Sequence, residues 1–168
     1  MRQKKLFIVV TILVVIWFGF IFYMSSQTAA DSGQMSKEVT KGVILIGEKM
    51  GVVGAGTANS EVALKKYNTI IRNLAHVGMY FLLACMMFSA FWLFGINKKK
   101  SVIFSLATGV FVSIIDEINQ MHFVGRNSGG VISDGIDDIY RDTFGICAAL
   151  VIFVIIRVMV ELREKNRP

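Results

Sequence analysis

Residues 101–126 read SVIFSLATGVFVSIIDEINQMHFVGR. The first part of this stretch carries no charge, and Asp116, Glu117, Gln120 and Arg126 then follow within a few positions. A helix needs about 20 apolar residues to cross the hydrocarbon layer of a bilayer. The stretch therefore predicts a membrane-spanning helix that ends in a cluster of polar side chains.

The composition of the whole chain agrees with a membrane location. Of its 168 residues, 54% are hydrophobic and 18% are charged, whereas soluble domains are typically about 25% charged. This length suits one small helical bundle, so we predict a single domain over residues 1–168. Cys85 and Cys147 both lie in apolar runs, which favours small apolar packing roles over a disulfide framework.

Four runs are long and apolar enough to be spans, and they cover residues 6–24, 74–96, 101–119 and 143–160. The first run follows MRQKK and could instead be a cleaved signal peptide. Its apolar stretch is longer than the usual signal-peptide core of about 7–15 residues, so we expect it to be retained. Arg157 lies near the end of the fourth run, where its side chain can snorkel towards the interface.

The distribution of basic residues predicts the orientation of the spans. Basic residues with few acids precede the first span, separate the second from the third and follow the fourth. Cytoplasmic segments carry such an excess, so we expect both termini in the cytoplasm and outer loops at 25–73 and 120–142. The net charge of +6 is then explained by topology, and no nucleic-acid partner is predicted.

The long outer loop contains a helical pattern of its own. Apolar residues recur on one face at Met35, Val39, Val43, Ile46, Met50 and Val53. Ser60 can then cap a second helix that continues into the second span. The first helix could lie at the membrane interface or form a lid over a site. The predicted fold class is thus all-α: a small polytopic bundle of four transmembrane helices with an amphipathic helical outer loop.

Polar residues from all four spans are expected at the same outer end of the bundle. Arg72, His76 and Tyr80 share one helix face, and Asp138, Asp142 and Gly145 share another. This cluster could be an ion-pair network that fixes helix packing, or a pocket that binds a ligand. The candidate ligand-binding residues are Gln27, Arg72, His76, Tyr80, Asp116, Glu117, Gln120, Arg126, Asp138 and Asp142.

Four motifs in this region resemble the signature of the VanZ-like family. They are FYMSSQ at 22–27, RNLAHVGMY at 72–80, DEINQMHFVGR at 116–126 and DIYRDTFG at 138–145. Ser26, Gly125 and Gly145 join the candidate residues above as family-like positions. Met79 stands where the family usually has Glu, Asn119 where it has His, His122 where it has an aromatic residue and Val124 where it has Pro. Asp134 and Asp138 could be the matched aspartates in place of Asp138 and Asp142.

The resemblance implies a divergent, multi-pass envelope protein of a bacterial cytoplasmic membrane. Some VanZ-like proteins are associated with low-level resistance to teicoplanin-type glycopeptides. The expected partner besides the bilayer is an anionic lipid headgroup or a lipid-linked cell-wall precursor, because Arg side chains bond phosphate groups bidentately.

An enzyme is the main alternative, although we favour a binding protein. Asp116, Glu117 or His76 could act as a general acid or base on such a lipid. His76 with Asp116, Glu117 and Asp142 could also hold a divalent metal, but the chain has only two histidines and they lack a metal-ligand spacing. We therefore predict no metal and no cofactor. An assembly scaffold is a third possibility, and four short spans leave little room for a transport path.

Overall fold

The computed structural model describes residues 2–122 and 132–165, and these form a helical bundle. No strand occurs in those ranges. The helices are α1 (Arg2–Ser25), α2 (Ala29–Lys49), α3 (Glu61–Leu93), α4 (Lys98–Gln120) and α5 (Ile132–Lys165), with a short 3₁₀ turn at Thr57–Asn59. All helices except α2 are long and apolar enough to cross a membrane. The all-α membrane bundle predicted from the sequence is confirmed.

Local sequence signals set the helix ends. The Ser60 side chain accepts a hydrogen bond from the Ala63 N–H, so the predicted cap is present and α3 continues unbroken into the second span. Asn97 caps α4 in the same way, by accepting from the Lys100 N–H at 2.9 Å. Gly95 follows α3 with φ +101°, a left-handed conformation that residues with a Cβ rarely adopt.

Helix α3 lies at the centre of the bundle and contacts each of the other four helices. The closest approach is at Gly145 of α5, where an added Cβ would lie 2.3 Å from the Val77 carbonyl oxygen. Such an approach between two helix backbones requires glycine. The core that surrounds it consists of Ile21, Tyr80, Leu83, Ala84, Met87, Phe88, Val112, Ile146, Ala149 and Leu150.

The bundle is apolar outside and partly polar inside, as expected when the solvent is lipid. The outward faces of α1 and α5 expose large aliphatic side chains such as Val15 and Val151. By contrast, the inward face of α4 buries the hydroxyl groups of Ser101, Ser105 and Ser113. Small and hydroxyl-bearing residues at helix interfaces are typical of membrane bundles.

The amphipathic helix predicted in the outer loop is α2, but its apolar stripe faces away from the bundle. Ser36 and Thr40 both donate hydrogen bonds to the Asn68 side chain of α3, so the hydroxyl-bearing face of α2 is the packed one. Val43 and Met50 of the stripe are 50% and 72% exposed. Because α2 runs back along the first half of α3, it forms a helical hairpin with that half.

Two details differ from the sequence-based expectations. Helix α5 begins at Ile132, so much of the segment predicted as loop 120–142 is helical. The Arg157 guanidinium stacks over the Trp92 ring, 3.6 Å from its centroid, a contact that the sequence did not predict. Cys85 and Cys147 are free thiols, in agreement with the apolar packing roles predicted for them.

Candidate functional site

A buried chain of hydrogen bonds joins α3, α4 and α5 at the end of the bundle where α1 finishes. We call this the polar end. His76 Nδ1 lies 3.1 Å from Asp142 Oδ1, and the Ser113 hydroxyl donates to Asp142 Oδ2 at 2.7 Å. Asp142 is only 2% exposed. The two partners therefore satisfy both oxygens of a carboxylate that would otherwise be costly to bury.

Asp138 lies one turn before Asp142 and extends this arrangement towards the surface. Its Oδ2 atom is 3.9 Å from His76 Nε2, and its other oxygen accepts a hydrogen bond from Arg141. Arg141, which supplies the positive charge at Asp138, is not among the candidate residues named from the sequence. Its position three residues after Asp138 on one helix was an available signal. Arg126 and Gly125 lie outside the described residues.

Asp138 and Asp142 both approach His76. The Asp134 side chain is not among those described. Gly145 also falls on the same stripe of α5, where it permits the contact with α3. Gly145 therefore helps to position Asp142 against His76, although it has no side chain that could bind a ligand or transfer a proton.

Two buried polar atoms near this chain have no hydrogen-bond partner among the described residues. They are the Tyr80 hydroxyl and Asp116 Oδ1. Tyr80 is fully buried, and its hydroxyl group faces Asp116, Asp142 and Ser113. The other Asp116 oxygen, Oδ2, accepts from Gln120 Nε2 at 3.2 Å. Buried polar groups are usually paired, and the Tyr80 hydroxyl and the Asp116 carboxylate are candidate partners for each other.

Glu117 lies beside the same cluster, close enough to Asp138 and His76 to interact with them electrostatically, but it lines neither of the two cavities described below. Its carboxylate packs against Gly135 of α5, where an added Cβ would lie 2.6 Å from Glu117 Oε1. The carboxylate of a candidate catalytic residue is thus held at a helix interface.

The end of α1 contributes through a residue that the sequence analysis did not single out. The Ser25 hydroxyl donates to the Asp116 carbonyl oxygen at 3.2 Å, and Asn119 donates to both Ser25 and Ser26. Asn119 is one of the departures from the family pattern, and here its amide links α4 to α1. Gln27 instead donates to the Tyr23 carbonyl of its own helix.

Among the described residues, two cavities at the polar end are lined by both Arg72 and His76. The first cavity has a volume of about 250 Å³ and an otherwise polar lining that includes Asp137, Asp138 and Arg141. The second has a volume of about 120 Å³ and lies between α1, α2 and α3. A polar space and a largely apolar space thus lie on two sides of the Arg72 and His76 side chains.

Met79 helps to make the second cavity apolar. Its side chain lines that cavity together with Ile21, Met24, Met35 and Ile71. The Met79 backbone carbonyl accepts a hydrogen bond from the Trp17 indole at 3.0 Å, which fixes α1 against α3. A glutamate, as expected from the family pattern, would put a charge into this space.

The residues that could hold a metal do not converge closely enough to do so. Within the described part of the chain, no group of three or more His, Cys, Asp or Glu residues is placed to bind an ion. The groups available at the polar end for hydrogen bonding, ion pairing or proton transfer are His76, Arg72, Arg141 and the aspartates.

Comparison with known proteins connects this architecture to a family. Searches of curated proteins and of solved structures give no significant match. The family model described as VanZ/LLP1 matches residues 10–157, a range that contains every motif quoted above. With four helices able to cross a membrane, the protein is a multi-pass membrane protein. The chain therefore belongs to the VanZ/LLP1 family, as the resemblance of its motifs predicted.

Proposed function

We propose that this cell-envelope membrane protein binds the headgroup of an anionic lipid or lipid-linked cell-wall precursor at its polar end. The observation that carries the proposal is that Arg72 and His76 line both the polar and the largely apolar cavity. A ligand that bridges the two spaces must be amphiphilic. Its charged group would lie beside Arg72, and the start of its chain would lie against Met24, Met35 and Met79.

The polar cavity also favours a headgroup that combines an anion with hydrogen-bond donors. Arg72 and Arg141 can donate to phosphate oxygens, and arginine does so with two parallel hydrogen bonds. Asp137 and Asp138 line the same cavity and can accept from sugar hydroxyl or amino groups. A glycosyl phosphate or pyrophosphate attached to a lipid carries both kinds of group.

Helix α2 supports a lipid ligand over a water-soluble one. Ser32, Met35 and Ser36, from the first turns of α2, line the second cavity. These residues cover the side of the cavity that faces away from the bundle core, so α2 acts as a cover for a bound chain. The interfacial helix and the lid, which the sequence left as alternatives, are compatible roles of this one helix.

The test is binding of a polyprenyl-pyrophosphate-linked disaccharide to the full chain in phosphatidylcholine nanodiscs. Arg72→Gln removes the charge of an exposed side chain. Loss of a hydrogen-bonded charge costs about 1.5–3 kcal/mol, so affinity should fall roughly tenfold to a hundredfold. Teicoplanin susceptibility of a bacterium that expresses the variant provides a second readout.

Lys66→Gln is the matched control, because Lys66 is an exposed cation on the same helix that lines neither cavity. It should bind like the unsubstituted protein. Arg72 has no specific role if the unsubstituted protein and the two variants bind with equal affinity, or if both variants lose the same affinity. Either result would contradict the proposal.

One observation favours an acid–base enzyme as the second candidate. Asp142 holds His76 through Nδ1, which leaves Nε2 as the ring nitrogen available for proton transfer. Nε2 lies 3.9 Å from Asp138, beyond hydrogen-bonding distance. An enzyme should convert the lipid-linked disaccharide to a product, and His76→Gln should lower the rate of that conversion far more than it lowers the affinity. Binding without any conversion by the unsubstituted protein would exclude this candidate for the precursor tested.

A further inference from the structure

The opposite end of the bundle carries a second arrangement of cations and apolar walls. We call it the lysine end. One cavity there, of about 710 Å³, surrounds the turn between α3 and α4 and is lined by Lys98, Lys99 and Lys100. A second, of about 170 Å³, lies between α3, α4 and α5. Lys98 and Lys99 line both cavities, so the two spaces adjoin.

The smaller cavity has apolar walls and a cation at its edge. Phe88 and Phe153 form one wall, with ring centroids 4.7 Å apart. Arg157 lines the same space, and its guanidinium is held in place by the stacking on Trp92. The Arg157 Nε atom is buried and has no hydrogen-bond partner among the described residues. The guanidinium group is therefore a fixed positive charge at the edge of this space.

The first turn of α4 is unusual in its charge. Helix N-termini carry a partial positive charge and favour acidic side chains. Here the first turn contains three lysines and no acid. The described residues that line the two cavities include no carboxylate either. An anion bound beside Lys99 would interact favourably with the lysines and with the helix terminus.

We propose that the lysine end binds an anionic phospholipid. Its phosphate would lie between Lys99, Arg157 and the first turn of α4, and part of an acyl chain would lie against Phe88 and Phe153. A free phosphate ion would leave the apolar cavity without an occupant, so the geometry favours the lipid. This site is separate from the polar end and does not depend on the function proposed there.

Native mass spectrometry of the full chain, released from detergent, tests the proposal. Phosphatidylglycerol and phosphatidylcholine with identical acyl chains are added at equal concentration. The unsubstituted protein should retain one phosphatidylglycerol in preference to phosphatidylcholine. The double variant Lys99→Gln/Arg157→Gln removes two cations, which should lower that preference roughly 30-fold. Lys99→Gln alone, which leaves the Trp92 stacking intact, should lower it about fivefold.

Lys5→Gln/Arg163→Gln is the control, because it removes the same charge from exposed residues that line neither cavity. It should keep the preference of the unsubstituted protein. The proposal is overturned if the unsubstituted protein does not prefer phosphatidylglycerol to phosphatidylcholine. It is also overturned if the control variant loses as much of that preference as the double variant does. Displacement of the lipid by equimolar inorganic phosphate would also overturn it, since the acyl chain would then contribute nothing.

Discussion

At the scale of single residues, the polar end depends on one carboxylate. Asp142 is buried, accepts a hydrogen bond from Ser113 and pairs with His76. His76 in turn lines both cavities. Removal of one partner from a buried pair leaves the other without compensation for its lost hydration. His76 therefore relies on Asp142 for its orientation as well as for its burial.

We expect Asp142→Ala to lower the free energy of unfolding by about 3–5 kcal/mol, because it leaves His76 and Ser113 unpaired. The measurement is thermal and denaturant-induced unfolding of the purified chain in detergent. Asp137→Ala is the control, since Asp137 is exposed on the same helix and its loss should cost under about 1 kcal/mol. A similar small effect for both variants would mean that the His76–Asp142 contact adds little stability.

The sequence predicted the charged members of this site better than its hydroxyl groups. His76, Asp138 and Asp142 could be anticipated because charged residues are rare inside spans and their spacing places them on shared faces. Ser113 and Ser25 could not, since serine is common at helix interfaces in membranes whether or not it contacts a functional group. Ser113 precedes Asp116 by three residues, so its position on the same face of α4 was a weak signal.

At the scale of helices, the contact between α3 and α5 positions the site. Gly145 allows the α5 backbone to approach Val77 of α3, and His76 is the residue next to Val77. One turn earlier on α5, Asp142 then meets the imidazole ring. The distance between these two helices thus determines whether the buried pair can form.

Gly145→Ala should destabilise the bundle by about 1–3 kcal/mol and should weaken ligand binding at the polar end. The added Cβ would overlap the Val77 carbonyl and force α5 away from α3. The same unfolding assay, followed by the nanodisc binding assay, measures both effects. Gly78→Ala on α3 meets no atom within 4 Å and should be neutral or stabilising by up to about 1 kcal/mol. Equal stability of both variants would contradict a tight helix contact at Gly145.

Periodicity predicted the existence of α2 but not the direction in which its apolar face points. An amphipathic pattern shows that two different environments flank a helix, and it does not show whether protein or lipid takes the apolar one. In a soluble protein the stripe through Val43 would face the core. Here the buried residues of α2 are Ile44 and Thr40, and the Thr40 hydroxyl reaches Asn68. The early start of α5 was missed for a related reason, since hydropathy does not detect charged turns that extend a span.

At the scale of the whole molecule, the two ends differ in the kind of charge that they carry. The polar end combines aspartates with arginines and a histidine, whereas the lysine end displays cations from α4 and α5. Phe7 of α1 contacts Phe94 beside the turn between α3 and α4, so Lys4 and Lys5 lie at the lysine end too. The bias in basic residues predicts that this end faces the cytoplasm.

Labelling of single cysteines tests that orientation in intact cells. In a background with Cys85→Ala and Cys147→Ala, a membrane-impermeant thiol reagent should modify Ala55→Cys and spare Lys100→Cys. Both positions are exposed, so burial does not explain a difference between them. Permeabilised cells, in which both cysteines should react, provide the control. The reverse labelling pattern would place the polar end in the cytoplasm and would make an outer-leaflet ligand untenable.

The unbroken length of α3 has a mechanical consequence for the whole protein. Val77, where α5 presses on the helix through Gly145, lies five residues beyond Arg72 and fifteen before Trp92. At about 1.5 Å of rise per residue, Val77 lies roughly 8 Å from Arg72 and roughly 22 Å from Trp92 along the helix axis. A rigid tilt of α3 about the contact at Val77 would therefore move Trp92 about three times as far as Arg72, and in the opposite direction.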